Sequence, residues 1–178
     1  NSGLITSSSR TRFYLNLYDA NSEALNVSQT LYGYPVSQSW EMGSGYAQSN
    51  PIIEDGASWK WRDGVTRKTQ WNEVSQSGGT WYSGSGYEAS QSFTNEPSDV
   101  RMDVTDIVRK WMSGSIDNHG FIVKRKGHLG NLDTTSDEGN TSHFGNLSFF
   151  SSDTHTKYPP TLLIKWPACV GRTLTYLS

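Results

Sequence analysis

Hydrophobic and polar residues alternate over 12–18, where Phe13, Leu15 and Leu17 fall on one side of an extended chain. Successive side chains of a β-strand point to opposite faces of a sheet, so this spacing predicts a strand with one buried face. Further stretches rich in β-prone residues predict three later strands, at 120–126, 146–152 and 160–166.

The stretch from Ala24 to Val36 is also rich in β-prone residues and predicts one long interrupted strand or two short ones. Pro35 has no backbone N–H, which favours a place at a sheet edge or at the end of a strand. Between Glu41 and Glu96, glycine, serine, asparagine and isolated aromatic residues dominate. A loop of that length is uncommon in a compact domain, so we expect short strands at 59–61 and 87–93 within it.

One segment has the period of a helix. Its apolar residues recur at the i, i+3, i+4, i+7 and i+8 positions of one helix face: Val104, Ile107, Val108, Trp111 and Met112. Asp103 precedes this run and is the predicted N-cap, and Gly114 follows it as the predicted C-terminal stop. The spacing predicts an α-helix at about 104–112, the only helix that we expect in the chain.

About eight short strands separated by turn residues indicate an all-β domain. We predict a jelly-roll-like β-sandwich in which the short helix crosses an end or an edge of the sheets. A chain of 178 residues is long enough for one domain with a full core. We assign 1–166 to this domain and 167–178 to a C-terminal extension, which either is ordered by a partner or leads into a further segment.

Charge is scarce in this sequence. Charged residues make up 18% of the chain, the formal net charge is -2 and the pI is about 6.1. These values give no electrostatic reason to expect nucleic acid or an anionic membrane as a partner. The apolar runs are much shorter than the ~20 residues of a membrane-spanning helix, so we expect no membrane insertion. The single cysteine, Cys169, excludes an internal disulfide.

The sequence carries no recognisable catalytic motif. A nucleophile elbow, a phosphate-binding loop and a dinucleotide fingerprint are all missing, and the carboxylates are scattered along the chain. The four histidines are too widely spaced for a local metal-binding pair. We therefore expect no enzyme and no cofactor. Asp133, Asp137 and Glu138 form an acidic group in a polar loop, where solvated carboxylates are the simpler interpretation and a calcium site is the alternative.

Aromatic residues make up 12% of the chain, and seven of them are tryptophans. Burying an aromatic ring removes roughly 150–250 Å² from water, so most tryptophans are expected in the sandwich core. That expectation covers Trp40, Trp59, Trp61, Trp71 and Trp111. Trp81, Tyr82 and Tyr87 lie in glycine-rich segments that are predicted to be exposed loops. These three are the candidate ligand-binding residues, and both stacking on a sugar and contact with another protein stay open for them.

An ordered series of motifs in the second half carries a family likeness. Its members are the Asp103-Val104-Thr105 helix start with Trp111 and Gly114 at the end, Asn-His-Gly-Phe-Ile-Val-Lys at 118–124, Phe-Phe-Ser-Ser at 149–152, and Tyr-Pro-Pro-Thr-Leu-Leu-Ile at 158–164. The series resembles the DNRLRE-type β-sandwich domains. These are similar to carbohydrate-binding modules of secreted and wall-attached bacterial proteins.

The first half adds a narrower likeness. Segments 31–40, 42–43, 56–59 and 79–82 look like parts of virion structural proteins of large tailed bacteriophages, which share the helix and the closing strands. Together the matches cover most of 12–166. The resemblance implies a place on a particle more than it implies a reaction.

These observations lead us to expect a non-catalytic structural or adhesion module of a surface assembly. The resemblance implies a bacteriophage virion, with the module in the tail, the baseplate or the capsid exterior. Other virion or surface-assembly proteins are the expected partners, and the sheet edges leave a homo-oligomer open as well. The alternative is a carbohydrate-binding module that recognises a bacterial surface polysaccharide. Both functions imply a location on a virion or an extracellular surface.

Overall fold

Two three-stranded antiparallel sheets and one α-helix make up the fold in a computed structural model. The structure describes residues 10–21, 25, 27–45, 50–51, 53, 55–58, 60–64, 69–71, 79–94, 96, 98–125, 145–153 and 156–166. The elements in chain order are β1 (Arg12–Leu17), β2 (Gln29–Pro35), β3 (Ala89–Phe93), β4 (Val100–Asp103), α1 (Thr105–Met112), β5 (Phe121–Arg125) and β6 (Thr161–Lys165). The prediction of an all-β sandwich with one short helix is confirmed.

The first sheet has the strand order β4-β1-β6 and the second has the order β3-β2-β5, so β1 and β2 are the central strands. In the first sheet, Leu15 lies between Met102 of β4 and Leu162 of β6. In the second sheet, Gly33 lies between Ala89 of β3 and Val123 of β5. The inward side chains of both sheets and one face of the helix form the core, whose buried members are Phe13, Leu15, Leu25, Leu31, Ala89, Phe93, Val100, Met102, Val104, Ile107 and Val108.

Helix α1 closes the end of the sandwich at which β1 begins. The N–H of Val104 donates to the carbonyl of Phe13 at 2.9 Å, and the N–H of Phe13 donates to Oγ1 of Thr105 at 3.0 Å. At the other end of the helix, the ring centre of Trp111 lies 4.7 Å from that of Phe121, the first residue of β5. The helix therefore joins the two sheets, because its first turn is bonded to β1 and its last turn packs on β5.

A glutamine side chain joins the sheets at a second place. Gln91 of β3 donates from Nε2 to the carbonyl of Asp99 at 2.9 Å and accepts at Oε1 from the N–H of Arg101 at 2.6 Å. The carbonyl and the N–H that it bonds belong to the side of β4 that faces away from β1. The amide thus bonds two backbone groups that a neighbouring strand would otherwise bond at the edge of β4.

The start of the helix differs from the prediction in one respect. Val104 is the N-cap and carries no capping side chain, whereas Asp103 was the predicted cap. Asp103 still belongs to β4, and its Oδ1 accepts from the N–H of Thr105 at 3.0 Å. Met112 was predicted on the buried face, but it is 41% exposed. Eight residues after Val104, a helix has turned about 80° away from it, so Met112 lies at the margin of the apolar stripe.

The strand predictions at 12–18, 120–126 and 160–166 are confirmed by β1, β5 and β6, and Pro35 ends β2 as expected. Strand β4 was not predicted, because its residues run directly into the helical pattern. Segment 146–152 contributes a single bridge between Phe149 and Asp19 where a strand was predicted. Within 59–61, only a bridge from Trp61 to Gln70 falls in the described residues. The described part of the chain thus contains six strands, and not about eight.

The bond between Phe13 and Thr105 yields a prediction. Replacing Thr105 by valine keeps the shape but removes the acceptor, so the buried N–H of Phe13 loses its partner. We expect a loss of about 1–3 kcal/mol in the free energy of unfolding, measured by urea denaturation. Thr105→Ser keeps the hydroxyl and is the matched control, with a smaller expected loss of about 1 kcal/mol for the missing methyl group. Equal stability of the valine variant and the parent would contradict this account.

Candidate binding surface

Residues 80–82 run alongside the end of β2 and place two of the three candidate aromatic residues, Trp81 and Tyr82. The N–H of Ser37 donates to the carbonyl of Thr80, and the N–H of Tyr82 donates to the carbonyl of Pro35, both at 3.0 Å. A bridge joins Trp81 to Val36 between these bonds. Paired residues share a face of the sheet, so Trp81 lies on the outer face, together with Val36 and Tyr34.

Trp81 is half-buried in this outer layer. Its ring centre lies 6.0 Å from that of Tyr34, and the ammonium group of Lys124 lies 5.1 Å from it. Tyr34 is 2% exposed although it points away from the sandwich core. A second apolar cluster, formed by Tyr34, Val36, Trp71 and Trp81, therefore covers the outside of the second sheet. Trp81 belongs to this cluster and is not a free ring in an exposed loop.

The tryptophans expected in the sandwich core are distributed differently. Trp111 packs against that core, as predicted. Trp71 is buried in the outer layer, where its indole N–H donates to the carbonyl of Ser58 at 3.0 Å. Trp40 is exposed, with its indole N–H bonded to the carbonyl of His119 at 2.7 Å. Trp61 is half-buried, and Trp59 lies outside the described residues. The prediction failed because a sheet with apolar residues on both faces offers two places for large rings.

Tyr82 and Tyr87 form a stacked pair with ring centres 5.6 Å apart. The ammonium group of Lys110, in the last turn of α1, lies 4.3 Å from the ring centre of Tyr87. Gly86 adopts a φ of 77°, and a Cβ at this position would lie 3.4 Å from Cε of Lys110. A Cβ at Gly86 would make only an ordinary contact with the flexible lysine, so the positive φ, and not a lack of space, favours glycine here. The structure brings together Tyr82, Tyr87 and Lys110. Trp81 belongs instead to the cluster on the outer face of the second sheet.

A loop surface exposes large apolar side chains: Trp40, Met42 and Ile53. Met42 and Ile53 line a groove of about 510 Å³ together with Asp55 and Trp61. The hydroxyl and the backbone N–H of Ser44 donate to the carboxylate of Asp55 at 2.6 and 2.8 Å. These bonds lower the pKa of Asp55, so the groove carries a negative charge beside its apolar side chains.

An edge surface exposes a further group of apolar side chains: Tyr158, Leu162, Leu163 and Trp166. Leu162 and Leu163 belong to β6, an outer strand of the first sheet, and Trp166 follows that strand directly. Leu162 pairs with Leu15, which is buried, and is itself 44% exposed. The apolar inner face of the sandwich is therefore open to solvent at this edge.

The described residues contain no group of three or more His, Cys, Asp or Glu side chains that could hold a metal ion. Asp133, Asp137 and Glu138, the calcium candidates, lie outside the described residues, as do Cys169 and all histidines except His119. No helix in the described ranges has the length and hydrophobicity needed to span a membrane.

Comparison of the chain with protein-family models, with curated proteins and with solved structures finds no match.

Two features of these surfaces were missed in the sequence. Lys110 falls within the predicted helix, and only the tertiary fold brings it to Tyr87. The edge surface had a readable signal, because the apolar run at 162–164 and Trp166 stand between Pro160 and Pro167. Such a run predicts a strand but does not show which of its sides is free.

The outer layer yields a prediction about pH. Burial and the nearby charge of Glu88 raise the pKa of Tyr34 to about 12. An unfolded chain releases this proton at the ordinary pKa, about 10, while the folded chain retains it. The stabilising contribution is therefore complete below pH 10 and is lost as the pH rises from 10 through about 12. Urea denaturation over this range should show a steeper loss of stability for the parent than for Tyr34→Phe.

Tyr82→Phe is the matched control for the loss of a tyrosine hydroxyl, and its stability should follow the parent as the pH rises. If Tyr34→Phe and the parent lose stability in parallel, burial of Tyr34 does not cause the effect.

Proposed function

We propose that this chain is a non-catalytic structural and adhesion module of a surface assembly. One observation supports the proposal above all: large apolar side chains are concentrated on two exposed surfaces, the loop surface and the edge surface. Contiguous exposed apolar patches on a protein mark places where it contacts another molecule. The sequence resemblance supplies the setting, which is the virion of a tailed bacteriophage.

The loop surface is suited to a permanent contact because its backbone is closely packed. A Cβ at Gly64 would lie 1.8 Å from the carbonyl oxygen of Asp55, so these two chain segments meet with no room for a side chain. The guanidinium of Arg62 donates to the carbonyl and the hydroxyl of Ser39, both at 3.1 Å. A surface held in one conformation binds a partner with a smaller loss of conformational entropy.

The aromatic residues also favour attachment over sugar recognition. A ring that stacks on a sugar needs a free face. Trp81 already packs on Tyr34 and lies beside Lys124, while Tyr87 stacks on Tyr82 and lies beside Lys110. These internal contacts give the rings a role in holding the loop and the helix together.

Oxidative footprinting tests the proposal on particles purified from the organism that produces the chain. Hydroxyl radicals modify exposed tryptophan and methionine side chains, and Trp40, Met42 and Trp166 are exposed in the isolated chain. We expect the particles to contain the chain and at least one of the two surfaces to become protected in them. Met112, exposed on the helix, is the internal control and should stay reactive. Equal reactivity at all four residues, or particles without the chain, would refute the proposal.

A second candidate function is recognition of a bacterial surface polysaccharide by the Tyr82–Tyr87 pair. The observation that favours it is the combination of two half-buried rings with an ammonium group at the surface, because rings contact the apolar faces of sugars and donors bind their hydroxyls. Gly84 stands next to this pair, and the space around the position of its missing Cβ is open to 4 Å.

Binding of the full chain to an array of bacterial polysaccharides, with and without calcium, tests this second function. Tyr82→Ala should abolish binding, whereas Trp40→Ala, which removes an exposed ring elsewhere, should leave it unchanged. Binding that survives Tyr82→Ala would exclude this site. A folded chain that binds none of the polysaccharides would leave the assembly role as the only one of the two functions.

A further inference from the structure

We infer that the edge surface is a self-association site, at which β6 pairs antiparallel with β6 of a second copy about a twofold axis at Leu163. The inference deepens the proposed function, since it names one partner of the assembly. In this dimer, a six-stranded sheet runs continuously through the two copies. Its strand order is β4-β1-β6 of one copy followed by β6-β1-β4 of the other.

The backbone of β6 is available for such pairing. Strand β6 bonds to β1 on one side, and on its other side no strand of the described part of the chain pairs with it. In an antiparallel ladder, alternate residues direct their N–H and C=O groups away from the partner strand. At the opposite edge of the same sheet, the side chain of Gln91 bonds two of the corresponding groups, the N–H of Arg101 in β4 and the carbonyl of Asp99 just before it. Of the two outer strands of this sheet, only β6 has no such side-chain bond to its outer backbone groups among the described residues.

The side chains of β6 make this edge apolar on both faces. Leu162 points inward and is 44% exposed, and Leu163 points outward and is 38% exposed. Trp166, two residues beyond Ile164 on the inner side, is 53% exposed. Strand β6 carries no inward charge and its pairing with β1 is regular; its short length, Lys165 and the flanking prolines confine any pairing to a short stretch.

Prolines limit the length over which pairing is possible. Pro159 and Pro160 precede the strand, and Pro167 follows Trp166, so backbone donors are available only from Thr161 to Trp166. A twofold axis at Leu163 keeps all five residues of β6 paired. It also keeps inward residues opposite inward residues, which the period of two along a strand requires.

This register places compatible side chains opposite each other. Leu163 faces the partner's Leu163, and Leu162 faces the partner's Ile164. Trp166 faces the partner's Pro160, so that two flat apolar rings meet on the inner side. Lys165 faces the partner's Thr161 and therefore lies opposite no charge of the same sign. A twofold contact requires this kind of self-complementarity, in which the same strand supplies both sides.

Charge reversal at the twofold axis tests the inference on the full chain. Leu163→Lys and Leu163→Glu each place two like charges about 5 Å apart across the axis. Each variant alone should weaken dimerisation about tenfold or more, and an equimolar mixture should restore it, because opposite charges then meet. Sedimentation analysis from roughly 10 µM to roughly 1 mM is suited to this contact, since interfaces below about 1,200 Å² belong to the weak class. Met112→Lys changes an equally exposed apolar residue elsewhere and should dimerise as the parent does.

Hydrogen exchange of the parent chain provides a second measurement that needs no variant. Amides of 161–166 that point away from β1 should become protected as the concentration rises, with those of β4 as an internal reference. A monomer at every concentration, protection that does not depend on concentration, or no rescue in the mixture would overturn the inference. Such a result would leave the proposed function standing, because footprinting of the assembled particles tests attachment to other components separately.

Discussion

Burial of β2 on both faces is the constraint on which the rest of the structure depends. Leu31 points into the sandwich and Tyr34 points out of it, yet both are almost inaccessible to solvent. A three-stranded sheet with apolar residues on both faces needs a cover on each side. The first sheet and the helix provide the inner cover. Trp71, Trp81 and their neighbours provide the outer cover, which gives the long polar segment between β2 and β3 a structural purpose.

The sequence predicted those elements whose periodicity is local. The alternation at Phe13, Leu15 and Leu17 and the helical spacing from Val104 to Trp111 each require one buried face, and each was placed within a residue or two. The outer layer could not be predicted, because periodicity shows that a side chain is buried but not against which element. The same distinction applies to the candidate site. Glycines and aromatic residues in the sequence indicated Tyr82 and Tyr87, whereas the approach of Lys110 to Tyr87 depends on where the helix packs.

Several positively charged side chains of this protein lie beside aromatic rings or donate to carbonyl groups. Lys110 lies over Tyr87, Lys124 over Trp81, and Arg101 over Tyr14, within 4.3 to 5.1 Å of the ring centres. Lys124 is buried and donates to the carbonyl of Arg125, whose own Nε donates to Gln29. A buried cation is tolerated only when such groups replace its water. The high aromatic content of the chain is therefore in part a means of holding positive charge, at the buried Lys124 as well as at the exposed Arg101.

The two outer strands of the first sheet, β4 and β6, differ in what bonds the backbone groups on their outer sides. At β4, the partly buried amide of Gln91 donates to the carbonyl of Asp99 and accepts from the N–H of Arg101, so it bonds two of the backbone groups at this edge. At β6, the described residues offer no comparable amide, and leucines stand where charges would discourage pairing. A single side chain can thus bond backbone groups at the edge of a sheet, as Gln91 does beside β4. The difference between the edges is therefore the reason to regard β6 as a contact and not as a defect.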